Sequence, residues 1–367
     1  MGGDVFVGKV FRLRAAGLAA AVVAFSVPAL SCSPIPGDHA IPVPTVMVFE
    51  PAASSRTRAV ALQPASLNSG ARLATVPDVL WPSPGEGYSL PDPIATSPRY
   101  VLAWPTYHWR DPRFEVFRWY RFPSILILDF ADNAVQDRML KRIAFFVEKA
   151  GFRGRLAHDA EIADLHGWNA HDYRASDLAD FFAAARAENF PLNREELELE
   201  RLLLDSGLMW EVQGGALEGE GGFISISREA TRTLRFLFMA HEGFHGLFHT
   251  DAEFRAFTED RWNRFDEGAK RMFLAFLRDQ DYDVSEDYIV QKEFASFLLQ
   301  QSTSQAKFYF GRRIPSRIFD PAWHDENRNL ETASGDFPRF ASIFTAEAEA
   351  FSAFVGGRWG FAAGRVW

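Results

Sequence analysis

Hydrophobic and polar positions divide the chain into a proline-rich first part and a second part with clear strand and helix patterns. Residues 124–129, Ser-Ile-Leu-Ile-Leu-Asp, form an apolar run of the length of a buried strand. Residues 223–227, Phe-Ile-Ser-Ile-Ser, alternate with the period of a half-buried strand. Apolar residues spaced by three and four predict helices at residues 132–150, 176–188, 194–206, 229–249, 266–278, 285–301 and 338–354. The pattern therefore indicates a mainly helical α+β fold.

Residues that favour helix ends agree with this pattern. Asp132 or Asn133 can cap the helix that follows the first strand. Asn193 and Glu196 have the spacing of a capping box, and Gly207 lies just past the end of the same helix. Both helices are thus supported by local signals that are independent of hydrophobic periodicity.

Prolines set the first part of the chain apart. Fifteen of the 20 prolines lie between residues 33 and 123. Proline lacks a backbone donor and fixes φ, so this stretch is not expected to be mainly helix or central sheet. We expect a tether over residues 32–45, then irregular structure wrapped over the core. The predicted organisation is an α/β and proline-rich portion at residues 46–213, followed by a mainly helical domain at residues 214–367.

The first 31 residues have the features of an export signal. Three basic residues precede an apolar run, residues 15–30, which is too short for a stable membrane span. The run ends in Ala-Leu-Ser-Cys at Cys32, which resembles a bacterial lipoprotein cleavage site, although the leucine is one position closer to the cysteine than usual. We expect residues 1–31 to be removed and Cys32 to be acylated. The protein would then be anchored at the cell envelope, on the periplasmic or outer face. An ordinary secretory signal is the alternative.

Charge and cysteine content narrow the partners. The formal net charge is −9, and the leader contributes +2 to it, which leaves −11 for the remainder. An acidic chain argues against nucleic acid as a partner and against a polybasic attachment to anionic lipid. Cys32 is the only cysteine, so no internal disulfide is possible and the core must stabilise the fold.

The most specific motif lies in the helix predicted at residues 229–249. His241 and His245 are four residues apart, so they share one helix face and can bind the same metal ion. Glu242 is rotated by about 100° and can contact a metal-bound water without being a ligand. Zinc would lower the pKa of that water, and Glu242 would accept its proton during attack on a carbonyl. The alternative is a pair of core histidines with local hydrogen-bond partners.

An HExxH motif on an amphipathic helix, preceded by a strand, resembles the zincin metallopeptidases over residues 222–301. The resemblance implies a zincin-like catalytic domain at residues 214–367, with zinc as cofactor and a peptide or protein as substrate. It also implies that the strand at residues 224–227 is a short edge strand, which pairs with extended substrate. Phe248 and Asp251 exclude the subgroup with a third histidine, which needs glycine and histidine there.

The subgroup with a glutamate as third ligand fits the later helix at residues 285–301. Glu293 lies in an apolar stripe of that helix, where an uncompensated charge is costly, so it is the expected third ligand. Phe297 stands where several members have an aspartate that orients a histidine, so the orienting group must come from elsewhere. The alternatives are a buried ion pair of Glu293 with an arginine, and Glu286 or Glu253 as ligand.

Other polar residues have roles that the sequence leaves open. His249 lies about 12 Å from His241 along a straight helix, too far to bind the same ion, and is expected to line the cleft or cap the helix. Tyr288 or Tyr173 could donate to the developing oxyanion. The loop predicted at residues 165–173 could line a substrate site or stabilise itself. We interpret the acidic cluster Asp281, Asp283, Glu286 and Asp287 as negative charge that stabilises the N-terminus of the following helix. A calcium site is the alternative.

These residues together predict a zinc-dependent hydrolase that cleaves peptide bonds at the cell envelope. One alternative is a non-catalytic metal-binding lipoprotein, but a binding site does not need a carboxylate next to its first ligand. A second alternative is an amidase that acts on cell-wall peptides.

Replacing Cys32 with serine tests the predicted lipid anchor. The Cys32→Ser protein should leave the membrane fraction, because the acylated cysteine is the anchor that the sequence predicts. Sedimentation of lysates without detergent measures the distribution of the protein. A Cys32→Ser protein that still sediments with membranes would show that the leader has been misinterpreted.

Overall fold

The computed structural model of the chain describes residue 90, residues 92–318 and residues 337–367. All of these belong to the unit Pro64–Trp367. The predicted leader (1–31), Cys32 and the predicted tether (32–45) lie outside the described residues. The described chain is a mixed α+β structure in which helices predominate around a small mixed sheet, as the hydrophobic pattern predicts.

The elements up to residue 205 build most of the sheet and cover one of its faces. Asp132 caps its helix by accepting from the amide of Val135 at 2.7 Å, and Asn193 and Glu196 form the predicted capping box. In chain order the elements are β1 (Ile94–Thr96), α1 (Pro98–Ala103), a 3₁₀ turn (Thr106–His108), β2 (Phe114–Trp119), β3 (Ile125–Phe130), α2 (Asn133–Glu148), α3 (Asp159–Ile162), β4 (Ala170–Arg174), α4 (Ala175–Ala187) and α5 (Arg194–Asp205).

The elements after residue 205 are mainly helices. They include four of the seven predicted helices, and the other three are α2, α4 and α5. Within the described residues, none of the helices combines the length and the hydropathy that crossing a membrane requires. In chain order the elements are β5 (Met209–Glu211), β6 (Leu217–Gly219), β7 (Gly222–Ser227), α6 (Arg232–Thr250), α7 (Ala252–Asn263), α8 (Glu267–Arg278), α9 (Asp287–Leu299), α10 (Thr303–Phe308), a π-helical turn (Tyr309–Arg313), α11 (Ile314–Ile318) and α12 (Phe337–Trp359).

The main sheet has the strand order β1-β2-β3-β7-β4. β7 pairs in parallel with β3 and antiparallel with β4, so the expectation that the strand before the HExxH helix lies at the edge is wrong. The alternation of Ser225 and Ser227 with apolar residues suggested one solvated face, yet both serines are fully buried. Ser225 accepts a hydrogen bond from Nε2 of Gln136 at 3.0 Å, which satisfies its hydroxyl inside the protein. The edge strand next to β7 is β4.

Five of the seven strands in the described chain, β1, β2, β4, β5 and β6, lie where the sequence predicted none. β4 occupies part of the loop expected at residues 165–173, and β6 lies in a glycine-rich segment that precedes β7. β2 lies in the region expected to be irregular, because Pro112 and Pro123 flank this strand without interrupting it. Since β7 hydrogen-bonds to β3 and β4, the portions before and after residue 213 share one sheet.

Side chains from the two faces of the sheet enter separate cores. Alternate residues of the two central strands, such as Ile127 and Ile224, pack with the apolar face of α6 and with α7, α8, α9 and α12. The intervening residues, such as Leu128 and Phe223, pack with α2, α4 and α5. The HExxH helix is therefore held between the sheet and a layer of other helices.

Small residues and one ion pair fix α6 against the sheet. A Cβ atom on Gly246 would lie 3.2 Å from side-chain atoms of Ile125, and Gly246 in turn lies next to Gly222 of β7. In the first turn of α6, Arg235 forms a bidentate ion pair with buried Asp129 of β3, at 2.7 and 3.0 Å. The position of the motif helix thus depends on contacts with both central strands.

Replacing Gly246 with valine tests this close approach. Gly246→Val should lower the free energy of unfolding by about 1–3 kcal/mol, because the added methyls overpack the contact with Ile125. Gly357→Ala is the matched control, since that helical glycine is exposed and a Cβ there meets no atom within 4 Å. The control should gain up to about 1 kcal/mol from helix propensity. Urea unfolding measures both values, and equal midpoints for Gly246→Val and the unmodified protein would contradict the packing argument.

Candidate metal centre

The two motif histidines meet on the buried face of α6. Their Nε2 atoms lie 3.0 Å apart, and the residues His241 and His245 are only 8% and 1% exposed. Two imidazole nitrogens at this distance can both contact one ion, as the four-residue spacing predicts.

Helix α9 brings Glu293 to the same point. Its carboxylate oxygens lie 3.4 Å from Nε2 of His241 and 3.5 Å from Nε2 of His245. Glu293 is fully buried, and within the described residues neither oxygen has a hydrogen-bond partner. Buried carboxylates are normally paired or coordinated to metal. The only lysine or arginine of the described chain close to Glu293 is Lys292, whose Nζ lies 3.4 Å from Oε1. The ligand atoms of His241, His245 and Glu293, here called the ligand triad, lie within 4.8 Å of one another.

A hydroxyl group orients one of the histidines. Oγ of Ser296, one helical turn after Glu293, lies 2.9 Å from Nδ1 of His245. The sequence predicted that an orienting group must replace the missing carboxylate at Phe297, and this serine contacts the ring. Phe297 itself packs edge-on against His241, with ring centroids 4.8 Å apart. Both rings are thereby fixed by residues of α9.

Glu242 lies on the flank of the triad. It is 5% exposed, and one of its oxygens is within 4.8 Å of ligand atoms of Asp172 and His245. Burial, together with the negative charges of Asp172 and Glu293, raises the pKa of Glu242 well above its ordinary value. A carboxylate with this proton affinity is suited to accept and return a proton.

Three charged residues that the sequence analysis did not select complete the centre. Nζ of Lys292 lies 2.8 Å from both oxygens of Asp172 and 3.0 Å from Oε2 of Glu148. Burial alone would lower the pKa of Lys292, but Asp172, Glu148 and Glu293 outweigh it and hold the pKa well above its ordinary value. The sequence held two signals, a lysine next to Glu293 within the apolar run of α9 and the polar segment 165–173, which contains Asp172.

His249 and Tyr288 extend this network. Nε2 of His249 donates to Oδ2 of Asp172 at 2.8 Å, so Nδ1 is free to accept from the hydroxyl of Tyr288 at 2.7 Å. Burial lowers the pKa of His249, which favours this neutral form. His249 thus contacts the centre through Asp172, in a role that the sequence left open.

The other candidates lie away from the centre. Tyr173 points to the opposite core, where its hydroxyl donates to the carbonyl of Leu140 at 3.4 Å, so it is not placed to act on a substrate at the triad. Glu286 pairs with Arg153, and Glu253 pairs with Arg358. No arginine of the described chain pairs with Glu293. The acidic residues Asp281, Asp283, Glu286 and Asp287 belong to none of the groups in the described chain whose side chains are close enough to hold a metal ion.

A cleft of about 210 Å³ adjoins the network. Asp172, His249, Tyr288 and Lys292 all line it. Oδ1 of Asp172 also lies 3.6 Å from Nε2 of His245, so the carboxylate of Asp172 separates the cleft from the ligand triad. The guanidinium of Arg174 lies 3.9 Å above the ring of Tyr288 and gives the cleft a polar side.

Comparisons with protein-family models, with curated proteins and with solved structures yield no match to this chain. A function must therefore be argued from the chemistry of the site. That site belongs to a mainly helical α+β protein and consists of two histidines and four carboxylates, all of them buried.

Replacing Ser296 with alanine tests the orienting contact. Ser296→Ala should weaken binding of added Zn²⁺ about 10-fold or more, because His245 loses the hydroxyl that fixes its ring. Ser342→Ala, an exposed serine within α12, is the control and should bind as the unmodified protein does. Competition with a chelating dye gives the affinities. Equal affinities for Ser296→Ala and the control would show that the contact has no role in metal binding.

Proposed function

We propose that this protein is a zinc-dependent hydrolase that cleaves peptide bonds, with a zincin-like catalytic domain at residues 214–367. The observation that carries the proposal is the convergence of His241, His245 and Glu293, whose Glu293 oxygens are buried without a hydrogen bond in the described chain. Helix α6 and helix α9 supply these donors in the order that the zincin resemblance implies.

The donor set suits zinc. Two imidazole nitrogens and one carboxylate form a three-residue set that catalytic zinc sites use, with a further position left for substrate or water. The surroundings also favour a cation. Within the described chain, the buried carboxylates of Glu148, Asp172 and Glu293 share one contacting ammonium, that of Lys292, and the buried carboxylate of Glu242 lies close to Asp172. A divalent ion would offset the negative charge that one ammonium does not balance.

Each of the chain's own groups has a defined task in this proposal. Bound zinc would supply a Lewis acid and lower the pKa of a water at the site. Glu242 accepts a proton there and returns it to the leaving amine. Tyr288 lines the cleft, and its hydroxyl donates a hydrogen bond to His249. As negative charge develops on the substrate oxygen, this hydroxyl would donate to that oxygen instead. The presence of Glu242 beside the first ligand favours hydrolysis over metal binding alone.

The proposed setting is the cell envelope. The leader and Cys32 would place the protein on the periplasmic or outer face, with a peptide or protein as substrate and no nucleic-acid partner. Peptides of the cell wall contain the same kind of bond, so they belong in the same substrate panel as proteins.

Two glutamine substitutions test the proposal. The unmodified mature protein should hold about one zinc per chain. Glu242→Gln should keep that zinc and lose activity by about 10²- to 10⁴-fold, since it removes only the proton acceptor. Glu293→Gln should weaken zinc binding about 10-fold or more, since it removes a charged ligand. Elemental analysis measures zinc, and mass spectrometry of protein and cell-wall peptides measures turnover.

Glu253→Gln is the matched control, because Glu253 is an exposed carboxylate that pairs with Arg358. It should behave as the unmodified protein in both measurements. A protein without zinc after reconstitution would end the proposal. Full turnover by Glu242→Gln would exclude Glu242 as the base, and unchanged zinc affinity in Glu293→Gln would place the third ligand elsewhere.

A further inference from the structure

A second group of oxygens adjoins the ligand triad and points at one spot. The carboxylates of Glu148, Asp172 and Glu293, here called the carboxylate cluster, each offer an oxygen within 4.8 Å of the others. They come from the end of α2, from β4 and from α9, and they are 2%, 6% and 0% exposed. Three buried carboxylates converging from three elements require a cation between them.

Neighbouring side chains hold the cluster in place. Nε1 of Trp168 donates to Oε1 of Glu148 at 2.6 Å, and Nε2 of His249 donates to Oδ2 of Asp172 at 2.8 Å. Glu293, in contrast, has both oxygens without a hydrogen bond in the described chain. Glu148 and Asp172 are therefore oriented from outside, while their other oxygens and the carboxylate of Glu293 face the centre.

The cation in the cluster is Lys292. Its Nζ lies 2.8 Å from each oxygen of Asp172, 3.0 Å from Oε2 of Glu148 and 3.4 Å from Oε1 of Glu293. No other lysine or arginine of the described chain lies within 4.0 Å of these oxygens. An all-oxygen set of this kind is what hard divalent ions such as Mn²⁺ and Mg²⁺ bind.

We propose that the ammonium of Lys292 is a built-in counterion that occupies the position of a second divalent cation beside the ligand triad. Glu293 belongs to both groups, so it would bridge two ions if the lysine were absent. The lysine limits the centre to one exchangeable metal and fixes Asp172, which in turn holds His249. This inference goes beyond the proposed function, and only its naming of the first ion as zinc rests on that function.

The test is the number of metal ions bound after Lys292→Met, which removes the ammonium and leaves an unbranched side chain one atom shorter. After equilibration with Zn²⁺ and Mn²⁺ and removal of free ions, Lys292→Met should hold one divalent ion per chain more than the unmodified protein. The double variant Glu148→Gln with Lys292→Met should return to the unmodified count, because the cluster loses a charged ligand. Lys149→Met is the matched control. Lys149 is also buried, but its Nζ lies 3.4 Å from the centre of the Trp168 ring, outside the cluster. This variant should therefore bind the same number of ions as the unmodified protein.

Folding of Lys292→Met gives a second measurement. Without Mn²⁺ this variant should melt below the unmodified protein, and Mn²⁺ should raise its Tm more than that of the unmodified protein or of Lys149→Met. A folded Lys292→Met protein with the unmodified metal count would overturn the proposal. A variant that stays unfolded at every Mn²⁺ concentration would also overturn it, because the ion should replace the ammonium.

The outcome separates this inference from the proposed function. If the unmodified protein holds no zinc but Lys292→Met holds one divalent ion, the zinc proposal fails and the assignment of Lys292 stands. If the unmodified protein holds one zinc and Lys292→Met also holds one ion, the assignment of Lys292 fails alone.

Discussion

Compensation of buried negative charge is the constraint on which the arrangement of this protein depends. Glu148, Asp172, Glu242 and Glu293 are each at most 6% exposed, and Lys292 is the ammonium that contacts three of them. Carboxylates removed from water are costly unless cations or hydrogen-bond donors surround them. The core therefore tolerates them only because α2, β4, α6 and α9 deliver the compensating groups to one place. Any change that moves one of these elements leaves charge without a partner, and stability and chemistry are coupled at this centre.

The sheet explains how elements distant in sequence meet there. β7 pairs with β3 on one side and β4 on the other, and α6 lies directly over it through the contact of Gly246 with Gly222. This places the motif histidines beside the outermost strand, where Asp172 points toward α6 and Tyr173 points away. The period-two alternation of β4 thus selects which side chains enter the centre. A one-residue shift in the β4–β7 register would exchange Asp172 for His171 or Tyr173 and would remove the carboxylate from the site.

The sequence predicts the features that depend on the spacing of nearby residues. It does not predict the features that depend on contacts between residues far apart in the chain. Helices α2, α4, α5, α6, α8, α9 and α12 follow from apolar periodicity, and the grouping of His241 with His245 follows from the four-residue step. The contacts of Lys292 with Asp172 and Glu148 span 120 and 144 residues, and no local pattern encodes them. The edge position that the zincin resemblance implied for β7 was wrong because β4, which the sequence did not predict, pairs with it on the outer side. The alternation around Ser225 imitates a solvated face, since Gln136 satisfies this buried hydroxyl. β2 was missed because prolines flank it, and composition alone does not show where they interrupt pairing.

The same local device places two different chemistries at the centre. On α6 the adjacent residues His241 and Glu242 combine an imidazole of the ligand triad with a carboxylate of raised pKa. On α9 the adjacent residues Lys292 and Glu293 combine an ammonium with a carboxylate of the same triad. Neighbouring residues on a helix are rotated by about 100° about its axis. The two side chains of each pair therefore approach the centre, which lies between the helices and β4, from different directions. In the proposed function, this would let His241 bind the metal while Glu242 exchanges protons. On α9 it lets the charge of the ligand be compensated from its own helix, so that Glu293 can be fully buried and still present its oxygens to a metal. The proposed ion would then complete a site whose electrostatics the chain has already largely arranged.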